Sequence, residues 1–223
     1  MKIEHCGIIY ELDMKTNSAK VIKYRATDIY EIVIPSVIKS WMKKFIVSSI
    51  EDEAFQYSDV RKITLPETIT RIGKFAFYAS KLSYIFHKSP DTLIIDKSAF
   101  SNCTELKIAS FDSPIVFAGN NHFNNCYYLE EFKSWNIHGS IYNGTFANCT
   151  RLYKFHFADD VEIHPFAFFN TNFKEIFLSE DVIIHGEVEN VLHTRNILCK
   201  ENSRFLDLAY DGYSVSVVEE VFA

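Results

Sequence analysis

The chain has 223 residues, is 48% hydrophobic and carries a formal charge of -6, so it can bury a sizeable core within one elongated domain. The acidic balance and the lack of a basic run (Lys43-Lys44 beside Trp41 is the densest cluster) exclude a phosphate-neutralising nucleic-acid surface. No apolar run reaches the roughly 18 residues of a spanning helix, so membrane insertion is not expected, and Glu11, Asp13 and Lys15 interrupt any signal-peptide-like core near Met1.

The chain is built on a repeat. Phe55, Phe77, Phe100, Phe123, Phe146 and Phe168 follow one another at intervals of 22, 23, 23, 23 and 22 residues. Ala54, Ala76, Ala99 and Ala167 precede four of them, and His122 and Thr145 precede the other two. A second column lies upstream at Ile50, Ile72, Ile95, Ala118, Ile141 and Ile163, and a third downstream at Val60, Leu82, Leu106, Leu129, Leu152 and Phe173. Spacing of this length is the mark of a solenoid, whose units bury their apolar faces only against one another.

A strand-like stretch follows each third-column residue, clearest in Val60-x-x-Ile63-x-Leu65, Leu152-x-x-Phe155-x-Phe157 and Phe173-x-x-Ile176-x-Leu178. Alternation points the last two apolar residues of each stretch inward and their neighbours to solvent. The predicted outward strip contains Lys62, Thr64, Tyr84, Phe86, Ile108, Ser110, Glu131, Lys133, Lys154, His156, Glu175 and Phe177. Aromatic side chains beside charges in such a strip point to protein binding. The competing reading covers Phe86 and the nearby Trp135 with their own loops. The candidate binding residues are Tyr84, Phe86, Ile108, Glu131, Lys133, Lys154, His156, Glu175 and Phe177.

Asn102-Cys103, Asn125-Cys126, Asn148-Cys149 and Asn170-Thr171 form a polar column. Small polar side chains at one height in successive coils satisfy turn backbone that no strand reaches, and the cysteines read as packed, unreactive thiols. Sequons at Asn102 and Asn148 fall in this ladder, where a sugar has no room. No CxxC pair suggests zinc, and the odd count of five cysteines leaves a free thiol. His164 and His185 each follow an isoleucine, Ile163 and Ile184, and read as a stacked surface pair, with Asp159, Asp160 and Glu162 nearby in sequence. That pair alone defines no metal geometry, and no metal or cofactor is expected. G-x-S-x-G, H-E-x-x-H, P-loop and G-x-G-x-x-G motifs are all missing, so the reading is non-enzymatic.

The units resemble the BspA-like leucine-rich repeat family, of the type 5 class, which reads approximately L-x-x-I-x-L-P-x-x-[IV]-x-x-I-G-x-x-A-F-x-x-C. Val60-Arg-Lys-Ile63-Thr-Leu65-Pro66 through Ile69, Ile72-Gly73 and Ala76-Phe77 fits almost position for position, and Ala99-Phe100-Ser-Asn-Cys103-Thr-Glu-Leu106 fits the second half. The resemblance implies a mainly β solenoid, a right-handed superhelix of about six to seven units of 22–23 residues. It assigns 1–34 to an N-terminal β-hairpin cap with a half repeat, 35–190 to the array and 191–223 to a C-terminal helix–strand cap. The departures are His122, Thr145, the loss of Leu-Pro after the second unit, an insertion over 35–50, and Glu189 where a Phe would fall. The family implies a cell-surface or secreted adhesion protein that binds a host or matrix protein. An intracellular interaction scaffold is the alternative, and an enzyme or glycan-processing protein using the strip is a third, disfavoured class.

Overall fold

The computed structural model describes residues 1–26, 28–153, 155, 161–173, 176–178, 181–186, 196–199 and 214–217, with the backbone alone for 135, 176–177, 196–199 and 214–217. The described residues contain strands and turns and no helix. Three strands, β1 (Lys2–His5), β2 (Ile8–Asp13) and β3 (Ser18–Tyr24), form an antiparallel meander. β4 (Glu31–Val33) is followed by a hairpin of β5 (Val37–Ser40) and β6 (Lys43–Ile50). This hairpin is the 35–50 insertion.

Parallel coils follow. They comprise β7 (Lys62–Leu65), β8 (Arg71–Ile72), β9 (Tyr84–Lys88), β10 (Leu93–Asp96), β11 (Ile108–Ala118), β12 (Glu131–His138), β13 (Ser140–Ile141), β14 (Glu162–Ile163), β15 (Ile176–Phe177), β16 (Ile183–Ile184), β17 (Asn196–Cys199) and β18 (Ser214–Val217). One parallel ladder runs β4-β7-β9-β11-β12. A second runs β3-β6-β8-β10-β11. Further along the chain β13-β14-β16 and β15-β17-β18 pair in parallel. β11 and β12 are long enough to turn the corner between the two ladders, with a register shift between Phe111 and Pro114.

The core between the ladders is the Phe column. Successive rings are nearly parallel, at 5.0 Å for Phe55–Phe77, 5.1 Å for Phe77–Phe100, 4.9 Å for Phe100–Phe123, and 5.3 Å for both Phe123–Phe146 and Phe146–Phe168. This is the coil spacing of about 4.8 Å expressed in side chains. Tyr24 extends the stack at 5.3 Å from Phe55 and donates its hydroxyl to the Ile29 carbonyl. The third column is buried throughout, from Val60 to Phe173.

The second column needs one correction. Ile72 pairs with Ile95 and Ile95 with Phe117, so the fourth coil contributes Phe117 (2% exposed), not Ala118, to the core. Gly119, at φ +105°, adds a residue to the turn before Phe123 and moves the strand by one position. Because side chains alternate, that single step exchanges the inward and outward residues.

The polar column also divides its work more finely than expected. The Phe amides are taken by the next coil: Phe77 N–H donates to Ala99 O, Phe100 N–H to His122 O and Phe123 N–H to Thr145 O. The thiols of Cys103, Cys126 and Cys149 donate to the carbonyls of Phe77, Phe100 and Phe123 at 2.9, 3.2 and 3.2 Å. The asparagines bond to one another, with Asn125 to Asn102, Asn148 to Asn125 and Asn170 to Asn148 at 2.8, 2.8 and 2.9 Å. All four sit at φ between 55° and 62°, the left-handed region asparagine tolerates.

Candidate functional site

The outward side of the first ladder carries two continuous rows. Cross-strand register aligns Glu31, Lys62, Tyr84, Ile108 and Glu131 in one, and Val33, Thr64, Phe86, Ser110 and Lys133 in the other. Inward neighbours Ile63, Ile85, Ala109 and Phe132 are buried, so alternation places the row residues outside. Tyr84, Phe86 and Ile108 are partly exposed, and Lys62 and Lys133 are exposed. Glu31 meets Lys62 at 3.4 Å at one end, and Lys88 meets Asp112 at 3.4 Å beyond Phe86 and Ser110. The face is thus an apolar centre of Tyr84, Phe86 and Ile108 with charges at its margins.

Five of the nine candidate residues therefore stand together: Tyr84, Phe86, Ile108, Glu131 and Lys133. Lys154, His156 and Glu175 lie outside the described residues. Phe177 is described by its backbone, which pairs with Leu198. Glu31 and Val33 (76% exposed) begin the two rows, and sequence reasoning left them out although Ile32-Val33-Ile34 alternates like the later strands.

The hairpin tip was legible only as an insertion. Trp41 and Met42 occupy its two-residue turn at φ 51° and 58°, exposed by 82% and 107%. Such a turn favours Asn-Gly, so two bulky residues there sit in an unfavoured conformation.

Beside the separate β13-β14-β16 sheet, Glu162, His164 and His185 converge. Glu162 and His164 flank inward Ile163 on one strand, and His185 follows Ile184 on the next. His185 Nε2 lies 3.1 Å and His164 Nε2 4.0 Å from Glu162 Oε2. The imidazoles stack at 4.5 Å, and Tyr142 stacks on His164 at 5.1 Å. The stacked pair was visible as a period in the sequence and Glu162 as a neighbour; the contact of its carboxylate with both imidazoles was not, and Asp159 and Asp160 lie outside the described residues. The hydrogen bond from His185 holds the Glu162 carboxyl below its ordinary range, and partial burial lowers His164.

Large shifts elsewhere arise by burial. Desolvation pushes the Cys103 thiol up to about 12 and raises Cys126 and Cys149 further. His122 is lowered to about 4, mainly by desolvation, and its Nδ1 lies 3.2 Å from Thr145 Oγ1. The residues that replace Ala before Phe123 and Phe146 are thus one hydrogen-bonded pair spanning two coils. A shallow cleft over the coil corners is lined by Ser36, Pro66, Glu67, Lys88, Ser89 and Pro90, where the Ser89 hydroxyl donates to the Glu67 main-chain carbonyl at 2.8 Å. No described helix is long and apolar enough to cross a membrane.

Known proteins show the same architecture. The chain superimposes on a leucine-rich cell surface protein of Faecalibacterium prausnitzii with a TM-score of 0.73 at 23% identity, covering 91% of this chain and 55% of that one. A Bacteroides ovatus leucine-rich repeat protein gives 0.55 at 20% identity over 90% and 66%, and a T. pallidum leucine-rich repeat protein 0.53 at 15% over 99% and 100%. At these identities the likeness is one of fold, and the chain spans about half of the Faecalibacterium structure. No curated protein sequence matches significantly. The model of the BspA-type leucine-rich repeat region matches in six copies over residues 19–152 and 89–188. With its Phe column, Asn-Cys ladder and paired strands, the chain belongs to the BspA-type leucine-rich repeat family.

Proposed function

We propose that this protein is a non-enzymatic interaction module at the cell surface or outside the cell, binding a partner protein through the outward rows of the first ladder. The alignment of partly exposed Tyr84, Phe86 and Ile108 on three adjacent coils, with Lys62, Glu131 and Lys133 around them, carries the reading. Rigid aromatic anchors within a charged rim are how binding energy concentrates in protein interfaces. Leucine-rich repeat proteins are generally interaction modules, and the Faecalibacterium relative is described as a cell surface protein, which supports the location. In the same reading the solenoid is a right-handed superhelix of six to seven units, closed by the β1–β3 meander at one end and by a helix–strand cap over 191–223 at the other.

The experiment is capture of a partner by the wild type and by Tyr84→Ala/Phe86→Ala, with thermal unfolding measured in parallel. Loss of capture at an unchanged Tm supports the face; equal capture by both proteins overturns it. Labelling intact cells with an impermeant amine reagent tests the location, and protection of the protein until lysis would favour the intracellular scaffold instead.

A further inference from the structure

We propose that Glu162, His164 and His185 form a binding site for a divalent transition metal ion, held by one carboxylate oxygen and two imidazole nitrogens. The argument starts from strand geometry. Residues two apart on one strand share a face, and a parallel neighbour lies about 4.8 Å away, so Glu-x-His on one coil and His on the next supply three ligands to one point. The structure realises this: the three ligand atoms all lie within 4.8 Å of one another. The closest approach, 3.1 Å between His185 Nε2 and Glu162 Oε2, is near the separation of two ligands on one ion with bonds of about 2.0–2.2 Å. His164 Nε2 lies 4.0 Å from Glu162 Oε2 and the two rings are stacked 20° from parallel, so binding requires the imidazoles of partly exposed His164 and exposed His185 to turn until both nitrogens face the ion.

The surroundings orient these ligands. Ser140 donates its hydroxyl to Glu162 Oε2 at 3.3 Å, and Tyr142 packs flat against the His164 ring. Such outer partners fix ligand direction in metal sites. Two imidazoles and a carboxylate suit zinc, iron, cobalt or nickel over calcium or magnesium, which prefer all-oxygen shells. Three protein ligands at an exposed edge leave further coordination positions for water. The site lies at the β13-β14-β16 sheet, on strands other than those that carry the aromatic rows, so it does not depend on the binding reading for that face.

Titration of the full chain with Co2+, followed by visible absorption, and with Zn2+, followed by calorimetry, tests the site. One ion per chain is expected, with cobalt d–d bands. Glu162→Gln, His164→Ala and His185→Ala should each weaken binding by tenfold or more while leaving the far-UV circular dichroism of the metal-free protein unchanged. Wild type that takes up no Zn2+ at millimolar concentration overturns the proposal. So does a His164→Ala/His185→Ala variant that binds as tightly as wild type, which would place the ion elsewhere, for instance at exposed His5-Cys6.

Discussion

The coils anchored on Phe77 and Phe100 follow the repeat closely, whereas those anchored on Phe123 and Phe146 depart from it and are nevertheless at least as tightly filled. In the first pair, small Ala76 and Ala99 precede the Phe and the strands stop at the corners with Pro66 and Ser89-Pro90. In the second, His122 and Thr145 replace alanine and long β11 and β12 run through the corner. Phe117 and Phe132 add rings around Phe123 and Phe146. A solenoid therefore tolerates change column by column, not unit by unit: a departure in one coil persists where the next coil answers it.

The sharpest test is the column itself. Phe123 touches Phe100, Phe111, Phe117, Phe132 and Phe146, whereas Phe55 stacks between Tyr24 and Phe77. Phe123→Ala should cost about 3–5 kcal/mol in denaturant unfolding, because rings on every side lose their partner and a rigid stack collapses little. Phe55→Ala, nearer the end, should cost less. An equal loss at both positions would mean that the irregular coils are no better packed than the rest.

Next is pH. His122 is lowered to about 4 in the fold against an ordinary 6.5. Its neutral form is favoured by folding, so its stabilising contribution is full above about pH 6.5 and is lost as pH falls towards 4, in total on the order of 3 kcal/mol. Buried His87, also lowered by desolvation, acts in the same direction. The stability difference between wild type and His122→Ala should shrink over that window; parallel profiles would contradict a buried neutral imidazole. Thr145→Ala removes the partner of His122 Nδ1 and should cost about 1–3 kcal/mol. The His122→Ala/Thr145→Ala variant restores Ala-Phe in both coils. It should therefore cost less than the sum of the single changes, by about 0.5–3 kcal/mol.

Glycine gives a similar contrast at smaller scale. A Cβ on Gly73 would stand 2.6 Å from Asp52 N and 2.7 Å from the Glu51 carbonyl carbon of the preceding coil, while one on Gly139 meets nothing within 4 Å. Gly73→Ala should thus lose about 1–3 kcal/mol through overpacking against backbone. Gly139→Ala, at φ +81°, should lose only the roughly 1 kcal/mol of an unfavoured backbone angle.

The same physics decided what could be read in advance. The Phe column, the third column and the outward strip from Lys62 to Lys133 were legible because each recurs at nearly constant spacing. Ala118 was misassigned because one inserted residue at Gly119 shifts the strand without disturbing the Phe interval. Tyr24 was invisible as a stack member because it differs in type and precedes Phe55 by a longer interval, spanned by β4 and the hairpin. The His122–Thr145 bond and the Glu162–His185 contact are cross-coil relations, which exist only once register brings residues 23 apart side by side.

The smallest expected effect on stability is the one that best separates face from core. Tyr84 and Phe86 alternate with Ile85 and His87, which are buried, so the four residues present both sides of one strand. Ile85→Ala removes methylenes from a packed interior and should cost about 2–5 kcal/mol. Tyr84→Ala and Phe86→Ala remove partly exposed rings whose neighbours across the ladder are Lys62, Ile108, Thr64 and Ser110. Each should cost about 1 kcal/mol or less, the worth of a cross-strand pair. A loss at Tyr84 or Phe86 as large as at Ile85 would show that the aromatics are part of the core and the first ladder has no free apolar face. A small loss leaves two rings held in place by a strand whose stability does not need them, as residues kept for a partner should be.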